Sequence, residues 1–109
     1  MKVMLTLEDI KAYSDEIVKK FDPDKIILFG SYAYGTPRID SDVDMLVIMA
    51  IEGHPIEKTI DILRATKPRF DIDLLVRPPG NLERRAEMGD VIMREIKRKG
   101  KVIYERNNA

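Results

Sequence analysis

The stretch FGSYAYGTPRIDSDVDMLVI, residues 29–48, sets Gly30 and Ser31 ten residues ahead of two aspartates at i, i+2, Asp42 and Asp44. Carboxylates are poor strand formers, yet these two stand at the head of an apolar run. Side chains alternate across a strand. Asp42 and Asp44 therefore share a side with Leu46 and Ile48, while Val43, Met45 and Val47 take the other. Two carboxylates one strand repeat apart repel each other, which a proton or a bound cation relieves. All-oxygen ligation suits Mg²⁺ or Mn²⁺. A second pair with the same spacing, Asp71 and Asp73, lies in FDIDLLV. Where two such strands are neighbours, their carboxylates meet on one side of the sheet. Three converging carboxylates suit two-metal phosphoryl chemistry, in which ions about 3.5–4 Å apart clamp the attacking and leaving oxygens. The third can also take the proton of an attacking hydroxyl.

The Gly-Ser turn adds a phosphate-facing element. Gly30 permits close backbone approach. A helical turn starting at Ser31 would aim N–H groups and a hydroxyl at a phosphate. Rival motifs fail on particular residues. GSYAYGT has the glycine spacing of a P-loop without its lysine. Asp40, Asp42 and Asp44 open like an EF-hand loop, but Met45 stands where glycine is required and Ile51 where glutamate is. The single histidine, His54, has no Cys or His partners for zinc and reads as a loop or helix-start residue. Ser31, His54 and an Asp make up a triad inventory without a nucleophile elbow.

The elements that must position these groups follow from periodicity. Thr6 and Asp9 form a capping box before a helix over residues 7–20, whose apolar stripe is Leu7, Ile10, Tyr13, Ile17 and Phe21. Asp22-Pro23 ends it. Residues 25–29 (KIILF) read as a buried strand. Residues 30–41 form a loop with one helical turn at 31–34. Residues 43–49 are a second strand. Pro55 opens a helix over 55–66 with Ile56, Ile60 and Leu63 at helical spacing. Residues 70–76 are a third strand, with Phe70, Ile72, Leu74 and Val76 on one face and Asp71, Asp73 and Leu75 on the other. Asn81 is placed to cap a helix over 82–88. A helix over 90–99 follows an interruption at Gly89 and ends at Gly100 in a C′ position. Residues 101–104 are a last strand, and 107–109 a frayed tail. The implied fold class is α/β (α+β), a small mixed sheet with helices packed on it.

Bulk properties bound the rest. A chain of 109 residues is expected to form a single domain spanning 1–109, and it can bury a core without disulfides. There is no cysteine, which excludes thiolate metal sites and fits a cytoplasmic protein. No run approaches about 18 apolar residues, so no membrane span is expected. The N-terminus turns acidic too early for a signal peptide. Lys plus Arg and Asp plus Glu both total 19, which argues against general nucleic-acid binding. The charge is uneven, however. Residues 77–106 hold nine Lys/Arg against five Asp/Glu, while residues 40–44 hold three Asp. An acidic pocket beside a basic C-terminal third suits an anionic substrate bridged by metal, though a basic run is also the ordinary solvated face of a helix.

With these residues in place, the chain resembles the DNA polymerase beta-type nucleotidyltransferase superfamily, in its minimal nucleotidyltransferase (MNT) branch. FGSYAYG, SDVDMLV, FDIDLLVRPP and REIKRKGKVIYE carry the resemblance over nearly the whole chain. It implies transfer of a nucleoside monophosphate, AMP from ATP, to a hydroxyl with release of pyrophosphate. By position it implies Asp42, Asp44 and Asp73 as catalytic metal ligands for two Mg²⁺ (or Mn²⁺) ions. Asp73 is preferred to Asp71 because Ile72-Asp73-Leu74-Leu75 matches the family's pattern of an Asp flanked by apolar residues. Gly30 and Ser31 would hold the triphosphate. Many relatives carry Arg where this chain has Tyr34, and Arg38, a few residues on, is a candidate replacement.

The minimal branch pairs with separate helical HEPN-type proteins, in a pattern that resembles toxin–antitoxin systems. The implied acceptor is a hydroxyl of such a partner. Two other readings stay open. One is an antitoxin that works by contact alone. The other is a small-molecule enzyme resembling the aminoglycoside nucleotidyltransferases, with its pocket completed in a homodimer.

Overall fold

The computed structural model describes residues 4–107. Its elements run α1 (Leu7–Phe21), β1 (Lys25–Phe29), α2 (Ser31–Tyr34), β2 (Val43–Ile48), α3 (Pro55–Thr66), β3 (Ile72–Arg77), α4 (Asn81–Glu87), α5 (Val91–Lys99) and β4 (Lys101–Glu105). Among the described residues the four strands form one mixed sheet in the order β3-β2-β1-β4. β1 runs antiparallel to β2 and to β4, and β2 runs parallel to β3. The parallel pair follows from the α3 crossover, which returns the chain to the same end of the sheet.

Alternation along β2 builds two cores at once. Val43, Met45 and Val47 pack on one face with Ile10 and Ile17 of α1 and Ile62 of α3. Leu46 and Ile48 pack on the other with Leu82 of α4 and with Met93 and Ile96 of α5. β3 keeps the same division, with Leu74 and Val76 in the first core and Leu75 against the second. A strand covered on both faces reads as a continuous apolar run, which is why the aspartates stand out at its head.

Local chemistry sets the ends. The Asp9 N–H donates to Thr6 Oγ1 (3.1 Å) and the Thr6 N–H donates to Asp9 Oδ2 (2.9 Å), the capping box expected at the start of α1. Asp22 closes α1 in the left-handed region at φ 50°. At the far end of the chain the Arg106 N–H donates to the Asp24 carbonyl at 2.8 Å, and Arg106 Nη1 lies 2.7 Å from Asp24 Oδ1. This clip ties the end of β4 to the α1–β1 junction.

Three details depart from the sequence reading. In α3, Ile56 and Ile60 are 62% and 41% exposed, while Ile62 is fully buried. The stripe facing the core centres on Ile62, because the helix is rotated relative to the spacing of its first isoleucines. Asn81 does not cap α4. Gly80 is the N-cap, with no side-chain bond. The Asn81 N–H instead closes a turn onto the Pro78 carbonyl at 3.1 Å, and its Oδ1 is buried without a partner. Gly100 is an extended C-cap (φ −61°, ψ 149°) rather than a left-handed C′ residue. It must be glycine for another reason: a β-carbon there would lie 2.5 Å from the Ile96 carbonyl oxygen and 2.7 Å from Ile27 Cγ2. Of the expected tail, 108–109 lie outside the described residues. No described helix is long and apolar enough to cross a membrane.

Candidate active site

The parallel register of β2 and β3 puts Asp44 directly opposite Asp73. On the other side of β2 the antiparallel register puts Phe29, the last residue of β1, opposite Asp44. The Gly30 turn therefore arrives beside the Asp44 carboxylate. The contact is close enough that a β-carbon on Gly30 would fall 1.9 Å from Asp44 Oδ2. Gly30 has φ 72° and ψ −162°, a region open essentially to glycine alone. Steric and backbone requirements thus both demand glycine here.

α2 starts at once. The N–H groups of Ala33 and Tyr34 both donate to the Gly30 carbonyl at 3.0 Å. Those of Ser31 and Tyr32 precede this ring and by helix geometry have no acceptor within the turn. Gly35 ends α2 at φ 85°, its N–H donating to the Ser31 carbonyl. Ala33 is buried and Tyr32 and Tyr34 pack against the first core, so apolar anchors fix the turn.

Burial pushes the Asp44 carboxyl up to about 6, with the nearby charges of Asp73 and then Asp42 adding to the shift. Asp44 is half-buried, while Asp42 and Asp73 are exposed at the end of the sheet. Among the described residues no three Asp, Glu, His or Cys side chains are gathered closely enough to hold an ion unaided. The acids feel one another without closing into a cage. That donor set fits Mg²⁺, which is usually held by one or two carboxylates with water and substrate phosphates completing its shell. Asp71 lies one strand repeat away from the Asp44–Asp73 pair, and its carbonyl accepts from the Val43 N–H at 3.0 Å.

The other residues singled out in the sequence fall elsewhere. His54 caps α3, its Nδ1 accepting from the Ile56 N–H at 3.2 Å. Arg38 sits in an exposed turn, its N–H donating to Ser41 Oγ at 2.7 Å. A hollow of about 800 Å³ between α1 and residues 66–70 includes Tyr13, Thr66 and Phe70 in its wall. It belongs to the sheet face opposite the acids.

One neighbour had no signal in the local sequence. Lys99 of α5 places its Nζ 5.5 Å from the centre of the Tyr34 ring. Burial raises the Tyr34 phenol above its ordinary value. The Gly30 backbone opposes this, the charges of Glu95 and Asp44 add to it, and that of Arg98 opposes it. Tyr34 thus stands between the acids and α5.

Residues 8–109 match the model of the family described as Polymerase beta, Nucleotidyltransferase. Over 77 residues the chain is 35% identical to "Putative protein adenylyltransferase MJ0141" of Methanocaldococcus jannaschii, covering 69% of this chain and 78% of that protein. The crystal structure of a "putative nucleotidyltransferase" from Sulfolobus solfataricus has the same fold, with a TM-score of 0.68 at 20% identity over 94% of this chain and 83% of that one. A crystal structure described as "the toxin-antitoxin with AMP-PNP" shares the fold with a TM-score of 0.56 at 21% identity, over 89% of this chain and 74% of that one.

Proposed function

The chain belongs to the polymerase beta-type nucleotidyltransferase family, and on that premise we propose that it moves AMP from ATP to a hydroxyl of a helical HEPN-type partner protein, as the antitoxin of a toxin–antitoxin pair. The observation that carries this reading is the in-register pair Asp44 and Asp73 beside the Gly30 turn. The protein-adenylyltransferase name of the 35% identical relative supports the reaction. The toxin–antitoxin assembly with AMP-PNP, which shares the fold, supports a toxin partner and the nucleotide.

In this reading the triphosphate lies between the turn and the acids. The Gly30 backbone gives clearance, and the Ser31 and Tyr32 N–H groups orient phosphate oxygens. Mg²⁺, as one or two ions held by Asp42, Asp44, Asp73 and the phosphate oxygens (with Mn²⁺ as the alternative), would supply the positive charge that neutralises the triphosphate and polarises its α-phosphate. The acceptor oxygen forms a bond to the α-phosphorus as the bond to the β-phosphate oxygen breaks. Pyrophosphate leaves with that bond's electron pair. Asp73, at the exposed edge of the site, takes the acceptor's proton and returns it to solvent.

The test uses purified protein, Mg²⁺ and a lysate of the source cell, with ATP labelled at the α or the γ phosphate. Label should reach a protein from the α position only, and an Asp42→Asn/Asp44→Asn double variant should abolish it. Transfer of label to a small molecule instead, or protection of the partner by the double variant, would refute the reading.

A further inference from the structure

A triphosphate carries more negative charge than the acids can tolerate without counter-charge. The turn over residues 30–37 contains no Lys or Arg. The register of β4 shows where cations come from. Lys101 pairs with Leu28 of β1, and Phe29, the next residue, pairs with Asp44. The last turn of α5 therefore ends at the same end of the sheet as the acids. Lys101 itself shares the face of Leu28, which is the face opposite Asp44. Arg98 and Lys99 belong to α5, which packs on the Asp44 face through Ile96. Lys99 Nζ is held 5.5 Å from the Tyr34 ring centre, and Arg98 lines a hollow of about 420 Å³ with Val91, Arg94 and Glu95.

We propose that Arg98 and Lys99 hold the β- and γ-phosphates of the triphosphate and then the departing pyrophosphate, with the Tyr34 ring as the surface that aims Lys99. This rests on the nucleotidyl-transfer reading above. A polyphosphate with its α-phosphorus at the acids would extend past Tyr34 towards the end of α5. Lys99 also pairs with Glu95 Oε1 at 3.9 Å, through side chains that are about half exposed (50% and 44%). Such a pair is weak and exchangeable. Basic residues in the last turn also complement the helix dipole. Lys97 carries the same charge in the same turn, lining a hollow with Ala86, Glu87, Arg94 and Arg98, and serves as the control for that effect.

The experiment measures binding of ATP, AMP and inorganic pyrophosphate to the full chain in Mg²⁺ by calorimetry, beside thermal melts. Arg98→Gln/Lys99→Gln should weaken ATP and pyrophosphate about tenfold or more, the scale of losing charge-assisted hydrogen bonds. AMP binding should be unchanged. Lys97→Gln should leave all three affinities unchanged. Glu95→Gln, which frees Lys99, should tighten ATP. Equal losses for ATP and AMP, or an unchanged ATP affinity in the double variant, would overturn the proposal while leaving nucleotide binding intact. A wild-type chain that binds no ATP would overturn both readings together.

Discussion

The carboxylate of Asp44 occupies the space that a side chain on Gly30 would need, its Oδ2 1.9 Å from the β-carbon position. The turn and the acid therefore cannot vary independently. Gly30→Ala should cost about 1–3 kcal/mol from the backbone conformation alone and should displace either α2 or Asp44. A lower melting temperature together with lost ATP affinity is expected. An alanine variant that melts and binds like the wild type would mean that the turn and the acid do not touch.

Asp44 also predicts a pH dependence. Its folded pKa, pushed up to about 6 by burial, then by Asp73 and Asp42, exceeds the ordinary 3.8. As pH rises, the unfolded chain loses this proton first. Relative to an Asn at that position, the native state is therefore unpenalised below about pH 4, where the carboxyl is protonated in both states, and penalised progressively up to about pH 6. In chelator, Asp44→Asn should stabilise the protein at pH 7.5 by on the order of 1 kcal/mol, a figure already discounted for solvent exposure. The gain should vanish at pH 4. Melts of both proteins at the two pH values check the sign.

Divalent metal should reverse that penalty. A ligand that binds only the folded state stabilises it by mass action. Mg²⁺ with ATP should raise the melting temperature of the wild type and leave the Asp42→Asn/Asp44→Asn variant close to its ligand-free value. An equal rise in both would place the ion elsewhere.

Asp73 and Asp71 should separate by function. Asp73→Asn, opposite Asp44, is expected to slow transfer by roughly 10²–10⁴-fold, the usual worth of a positioned general base. Asp71→Asn, one strand repeat away, should retain most of the rate. Single-turnover assays with labelled ATP make the comparison. The opposite ranking would reassign the third carboxylate.

The sequence by itself determined the parts. Periodicity near 3.6 gave α1, and Thr6 with Asp9 gave its first turn. Alternation divided β2 and β3 correctly between two faces, and it put Asp42, Asp44 and Asp73 on the face shared with Leu46, Ile48 and Leu75. These are local properties, fixed by dihedral angles and by side-chain direction within a few residues. The rotation of α3 that buries Ile62 and exposes Ile56, and the passing of the cap from Asn81 to Gly80, depended on neighbours that the local pattern does not name. The tertiary structure alone decided that β2 and β3 are adjacent and in register, which makes Asp44 and Asp73 a pair. It alone brought the Gly30 turn against Asp44, and it alone carried Lys99 across to Tyr34, 65 residues away in the chain. Those relations depend on which strand edges pair and which helix faces pack. They are set by burial of the two cores on either side of β2 rather than by any short stretch of sequence.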